Sequence, residues 1–297
     1  MLNAIALRKG PLTVGIAPEA GGSLSRFDVG VPGGRVEILR SAVPAPWRLA
    51  PALNMSSFPL LPYAGRLRAG RFEFETRKIV YPLNALPERH SSHGDGFTQP
   101  WTLARLTRHE AILQLLSAPD APIRYAARQA IALHERQLDV ILTVRNIEER
   151  RVPFEVGFHP YFAHRHAARL SAHLPGICNW DTELMPTTRS VNPRAPEFAA
   201  GMAAGELPEA CEYFGWDGRA TIEWPAAGVR VTLVTDPALS HVVIWAPAGE
   251  DFFCFEPLSH ATDSFNRCRA DPQEPAPRGF APGESLRQVL SFRLELL

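Results

Sequence analysis

Three residues of this 297-residue chain combine reactive side chains with unusual settings: His93 in Ser-Ser-His-Gly-Asp-Gly, His159 in Gly-Phe-His-Pro-Tyr-Phe, and Glu256 in Phe-Phe-Cys-Phe-Glu-Pro. Imidazole and carboxylate are the groups that exchange protons most readily near neutral pH, so their convergence would make an acid/base site. The glycines around His93 allow close backbone approach and positive φ. His159 lies among aromatics, which favour neutral imidazole, while a nearby carboxylate would favour the protonated form. Glu256 ends an apolar run, and Pro257 behind it predicts a strand end with the carboxylate at the sheet rim. Each residue also has a plainer reading. His93 could cap its own turn, His159 could be a hydrogen-bonded core residue, and Glu256 could be a solvated strand end.

Arg66 is a candidate ligand for vicinal hydroxyls through its planar fork. Strand alternation would point Arg66 and Arg68 the same way, whereas Arg68 and Arg71 read as surface arginines. Asp217, in Trp-Asp-Gly, reads as part of a hairpin turn. His164 and His166 lack a close carboxylate or cysteine partner in sequence and read as solvated surface, so no metal is implied. Dinucleotide, phosphate-loop, zinc-protease and serine-elbow motifs are absent.

The elements that must position these groups are strands. Gln137 to Arg145 places Leu138, Val140, Leu142 and Val144 on one face, and Gly228 to Leu233 alternates likewise. Similar patterns recur at residues 12–17, 34–39, 70–76, 112–116, 129–134, 242–245 and 286–296. The 28 prolines fall mostly between them, and only short helices are expected, within Pro51 to Met55 and near Phe198 to Ala204. Half-buried strands without βαβ alternation predict an all-β protein, a large antiparallel sandwich, with residues 1–297 as one domain. Lys plus Arg equals Asp plus Glu at 31 each, which offers no field for nucleic acid or an anionic membrane and favours a neutral ligand. Four cysteines without a Cys-x-x-Cys pair, and a start without a signal-like apolar run, lead to the expectation of a reducing, cytoplasmic setting.

Taken in chain order, Phe58-Pro…Pro62-Tyr-Ala-Gly-Arg66, His90-x-x-His93-Gly, His159-Pro-Tyr-Phe162, Gly215-Trp-Asp-Gly218 and Phe255-Glu-Pro257 make the chain resemble the aldose 1-epimerase, or galactose mutarotase, family. Residues 16–24 and 282–284 look like that family's opening and closing segments. The resemblance implies a galactose mutarotase-type β-sandwich acting without a cofactor on a small-molecule sugar. It puts Glu256 as base, His159 as acid, His93 near the ring oxygen and C1 hydroxyl, and Arg66 on a substrate hydroxyl. Two positions depart from the pattern: Gly65 stands where many relatives have Asn, and Glu209 and Glu212 both remain open as the acidic sugar ligand. Two other functions stay open beside a free-sugar epimerase. One is a hexose-phosphate epimerase using Arg66, Arg68, Arg71 and Arg89, and the other is a non-catalytic sugar binder.

Overall fold

In Gln137–Asn146 every second residue is an aliphatic, and Leu138, Val140, Leu142 and Val144 are all buried. That period-two pattern is what a strand needs when one face meets a core and the other meets water. The computed structural model describes residues 5–43, 50–84, 87–269 and 274–297. Among them, the alternating segments assemble into two large antiparallel sheets of 12 and nine strands, as expected of a galactose mutarotase-type sandwich. The 12-stranded sheet carries Leu12–Ala17, Ser23–Val31, Tyr161–Ala163, Phe252–Leu258, His241–Trp245 and Ala210–Phe214. The nine-stranded sheet is built around Tyr125–Leu133, Gln137–Asn146, Ser285–Leu296 and Val229–Thr235.

One apolar cluster is shared by both sheets. Phe27 and Phe162 from the first meet Phe292 from the second, with ring centroids 5.6 and 6.4 Å apart. Such edge and tilted ring contacts add to the favourable burial of large apolar area. A second cluster, including Phe58, Phe97, Tyr161, Val243, Phe252 and Cys254, lies on the other face of the 12-stranded sheet. Along Phe252–Leu258 the division is residue by residue: Phe253 and Phe255 join the shared core, while Phe252 and Cys254 join the second cluster. Burial on both faces explains why this strand reads as a continuous apolar run without alternation.

Several boundaries differ from the sequence expectation. The Phe252–Leu258 strand does not stop at Glu256, because Pro257 pairs with Val242 and Leu258 with His241. On its other edge the partner changes from Tyr161–Ala163 to Gly157–Phe158. The Glu256–Pro257 step falls in that break, where a missing N–H costs no ladder bond. Glu256 is therefore inside the sheet and 3% exposed rather than at a solvated rim.

The expected hairpin around Asp217 is instead a crossover, since Ala210–Phe214 belongs to the 12-stranded sheet and Arg219–Trp224 to the nine-stranded one. Asp217 is structural there, accepting from the Arg219 N–H at 3.0 Å. The helix expected near Phe198 to Ala204 runs over Ala195–Ala200, started by a proline in its first turn and ended by Gly201 at φ 90°. Pro51–Asn54 is a 3-10 turn, and a short helix over Ser264–Arg267 was not anticipated. No helix among the described residues is long and apolar enough to cross a membrane, and the four cysteines are free.

Candidate active site

Glu256, Val243 and Glu212 lie opposite one another on three adjacent strands, so all three side chains share the sheet face that bears the second apolar cluster. His159 sits between the strands Gly157–Phe158 and Tyr161–Ala163, which both pair with the strand of Glu256. Its N–H donates to the Phe58 carbonyl at 3.0 Å. The imidazole is sandwiched between the Phe58 and Tyr161 rings, with centroids 4.6 and 4.7 Å away. That stack continues to Arg40, whose guanidinium lies 3.7 Å from the Tyr161 centroid. His159 Nε2 comes within 3.4 Å of Glu256 Oε1.

His93 arrives from a separate segment. His93 and Gly94 both adopt left-handed φ, 61° and 68°, and a Cβ on Gly94 would meet the Leu61 carbonyl oxygen at 2.2 Å, so only glycine fits there. The resulting turn lets the His93 N–H donate to the Gly65 carbonyl at 2.9 Å, while the Gly65 N–H donates to His93 Nδ1 at 3.2 Å. A backbone N–H can only donate, so Nδ1 carries the lone pair and Nε2 carries the proton in neutral His93. The His93 and His159 rings meet edge to face at 5.4 Å.

His93, His159 and Glu256 thus each place a ligand-type atom within 4.8 Å of one another. By residue type this set could hold a divalent metal. The tautomer of His93 argues otherwise, because its free ring nitrogen is a donor and offers no lone pair. His164 does have a carboxylate nearby, Asp251 at 3.7 Å, but both side chains are about half exposed and form no such cluster.

Electrostatics follow from burial. Desolvation pushes the Glu256 carboxyl up to about 8, with Arg66 pulling it down and Glu212 pushing it further up. Desolvation lowers His159 well below its ordinary value, assisted by His93 and Arg40, and lowers His93 to about 3, assisted by Arg66. The unliganded pair therefore rests as a neutral imidazole beside a carboxyl that holds its proton to mildly alkaline pH. His159 Nδ1 is buried without a protein partner among the described residues, so no backbone group clamps its tautomer as Gly65 clamps that of His93, and its proton follows the Glu256 carboxyl 3.4 Å from Nε2.

Arg66, in the two-residue strand Arg66–Leu67, pairs with Ser91–Ser92 directly before His93. Its Nε and Nη2 donate to Glu88 at 2.9 and 3.1 Å. Arg68 does not share its direction by strand alternation, because a 3-10 turn begins at Arg68 and sends it to Asp263 at 3.3 Å. Of the two acidic candidates, Glu209 is exposed, whereas Glu212 is fully buried and accepts from the Thr262 N–H at 3.1 and 3.3 Å. Its carboxyl is pushed up to about 7, chiefly by burial. Gly65 is explained by the same threonine: at φ 67° its Cβ would meet Thr262 Oγ1 at 2.6 Å, so an asparagine has no room there unless Thr262 moves.

Residues that the sequence did not single out include Phe58 and Tyr161 as the walls around His159, and Glu88 as the partner of Arg66. The aromatic spacing around His159 carried a signal for the walls. Nothing in Pro-Glu-Arg-His marked Glu88.

With this geometry in hand, comparison with known proteins decides the family: the aldose 1-epimerase profile matches residues 5–293. The chain belongs to the aldose 1-epimerase family. It is 30% identical over 261 residues to the uncharacterized protein YphB of Escherichia coli K12, covering 83% of this chain and 86% of that one. A solved Escherichia coli K12 structure, provisionally named as an aldose 1-epimerase, superposes with TM-score 0.88 at 27% identity over the full length of both chains. A galactose mutarotase-like protein from Clostridium acetobutylicum gives 0.85 at 18% identity, covering 99% of this chain and 95% of that one, and shares the fold. The aldose 1-epimerase family acts on small sugars, and this member places its His–His–Glu cluster on the face of the larger sheet that bears the second apolar cluster.

Proposed function

We propose that the protein interconverts the α and β anomers of a free aldose, with Glu256, His159 and His93 as the catalytic residues. The observation that carries this reading is the convergence of those three side chains, from three separated segments, within 4.8 Å. Anomers exchange when a base removes the C1 hydroxyl proton while an acid protonates the ring oxygen. The C1–O5 bond then opens to the aldehyde, the carbonyl rotates, and the ring recloses.

Glu256 is the base at the C1 hydroxyl, and the positive charge of Arg66 together with hydrogen bonds from sugar hydroxyls favours the carboxylate form. His159 takes the Glu256 proton across their 3.4 Å contact and, as imidazolium, gives it to the ring oxygen, while Glu256, left as carboxylate, accepts the C1 hydroxyl proton. His93 is restricted to donating from Nε2, which suits an oxygen that gains negative charge as the ring opens. Arg66 and Glu212 bind hydroxyls of the sugar, Glu212 taking the acidic ligand's place ahead of the exposed Glu209. The single shared core between the sheets supports treating residues 1–297 as one functional domain, and no cofactor has a part in this chemistry.

A positioned acid or base typically contributes about 10²–10⁴-fold. Polarimetry of freshly dissolved α-glucose, α-galactose and other aldoses should therefore show accelerated relaxation, reduced by about that factor in Glu256→Gln. Buffer-like rates for every sugar with the native protein would refute the reading.

A further inference from the structure

Three arginines near the His93 segment lie against carboxylates. Arg66 is held by Glu88 and Arg68 by Asp263 at 3.3 Å, with Arg89 4.0 Å from Glu183. Arg89 is itself 85% exposed, so its charge is largely screened. A phosphate on a sugar needs uncompensated guanidiniums that can converge on it. These arginines are paired.

The Arg66–Glu88 pair differs from the others because Arg66 adjoins the His93 segment. The two bonds, Nε to Oε2 and Nη2 to Oε1, occupy one whole edge of the guanidinium. A fork held on one edge has a fixed plane, and among the described residues nothing else holds the donors of Nη1. The Glu88 carboxylate is 40% exposed, so its negative charge remains open to whatever enters beside Arg66.

We propose that Glu88 is the specificity-determining and positioning residue of this site: it aims the free edge of Arg66 at uncharged sugar hydroxyls and turns away anionic sugars such as hexose phosphates. This rests on the reading of the site as a sugar-binding one. A hydroxyl accepts a hydrogen bond from the free edge without disturbing Glu88. A phosphate would need to displace Glu88 from the fork, or bind beside a carboxylate of like charge, and either route opposes binding.

The probes are anhydroglucitol and anhydrogalactitol, which lack the C1 hydroxyl and cannot ring-open, each compared with its phosphate monoester at the primary hydroxyl. Calorimetry on the full chain should show the neutral compounds preferred. In Glu88→Gln the preference should shift toward the phosphates by about tenfold, the scale for removing one partly exposed charge near a ligand. Glu88→Asp keeps the charge and should keep the preference for the neutral compounds. In polarimetry, Glu88→Gln should raise KM several-fold while changing kcat less than about twofold, because Arg66 binds but does not exchange protons.

A residue that only supported the fold would lower binding of both compounds together. A neutral-to-phosphate ratio unchanged in Glu88→Gln overturns the proposal, as does failure of all four compounds to bind the native protein. If the native protein speeds no mutarotation yet binds the neutral compounds and shows the ratio shift, the epimerase reading fails and the role of Glu88 stands.

Discussion

Removing the charge of Glu212 should move the pH dependence of catalysis toward acid. Glu256 acts as a base only as carboxylate, and burial pushes that group up to about 8, with Glu212 among the causes. The working pair, carboxylate beside imidazolium, holds the same single proton as the resting pair, so for a group at about 8 kcat/KM should stay level near pH 7 and fall once that proton is lost above about pH 8. In Glu212→Gln the repelling charge is gone and the falling limb should appear at lower pH. The absolute rate falls as well, since a hydroxyl ligand is altered, so each profile is normalised to its own plateau. Because the two carboxyls face the same sheet side and interact, the limb reports the pair rather than either residue alone.

The assay is initial-rate polarimetry between pH 5 and 9, with the buffer-catalysed rate subtracted at each point. A native profile that rises through pH 8 to an alkaline plateau would mean that the active pair holds no proton, leaving His159 none to give the ring oxygen. That result refutes the assignment of base and acid. An unmoved limb in Glu212→Gln would refute the electrostatic link between the carboxyls.

Folding stability should carry the same signature. A carboxyl whose folded value lies above its unfolded one stabilises the fold fully below the unfolded value of 4.5 and loses that contribution as pH rises to about 8. Thermal midpoints should accordingly drop more between pH 5 and 8 in the native protein than in Glu256→Gln, as differential scanning calorimetry would read. Gly65→Asn should destabilise the fold by about 1–2 kcal/mol through its clash with Thr262 Oγ1, and Thr262→Ala should restore much of that in the double variant, measured by denaturant titration. Phe58→Ala should open one face of His159 to water, raise the pH at which its imidazole titrates by NMR, and reduce kcat, since burial is the first cause of its lowered value.

The all-β architecture was legible because period-two alternation survives wherever a strand meets water on one side, as in Gln137–Asn146. It failed where both faces are covered: the run around Glu256 has no polar face, so proline was the only punctuation available and was misread as a strand end. The Asp-Gly pair after Trp216 specified a turn but not its destination, because the same local geometry closes a hairpin or passes between sheets. His93, His159 and Glu256 were legible through residue type and their ordered neighbours. Glu212 could not be separated from Glu209 by spacing, because the difference is burial, which depends on the pairing of Glu212 with Val243 two strands from Phe252–Leu258.

The two histidines are not interchangeable, and the backbone is what divides them. Gly65 fixes His93 as a donor from Nε2 in its neutral form, because its N–H occupies the Nδ1 lone pair. His159 has aromatic walls, no hydrogen-bond partner at Nδ1 among the described residues, and Glu256 3.4 Å from Nε2, so its ring plane is fixed while it can exchange a proton with that carboxyl. A ring-opening site needs both kinds, one that always donates and one that exchanges. The test follows from that asymmetry. His93→Gln can still donate from its side-chain amide and should retain part of the rate, whereas His159→Gln keeps a polar group but cannot exchange protons and should lose about 10²–10⁴-fold in kcat by polarimetry. Equal losses in the two variants would remove the distinction and leave both histidines in one shared role.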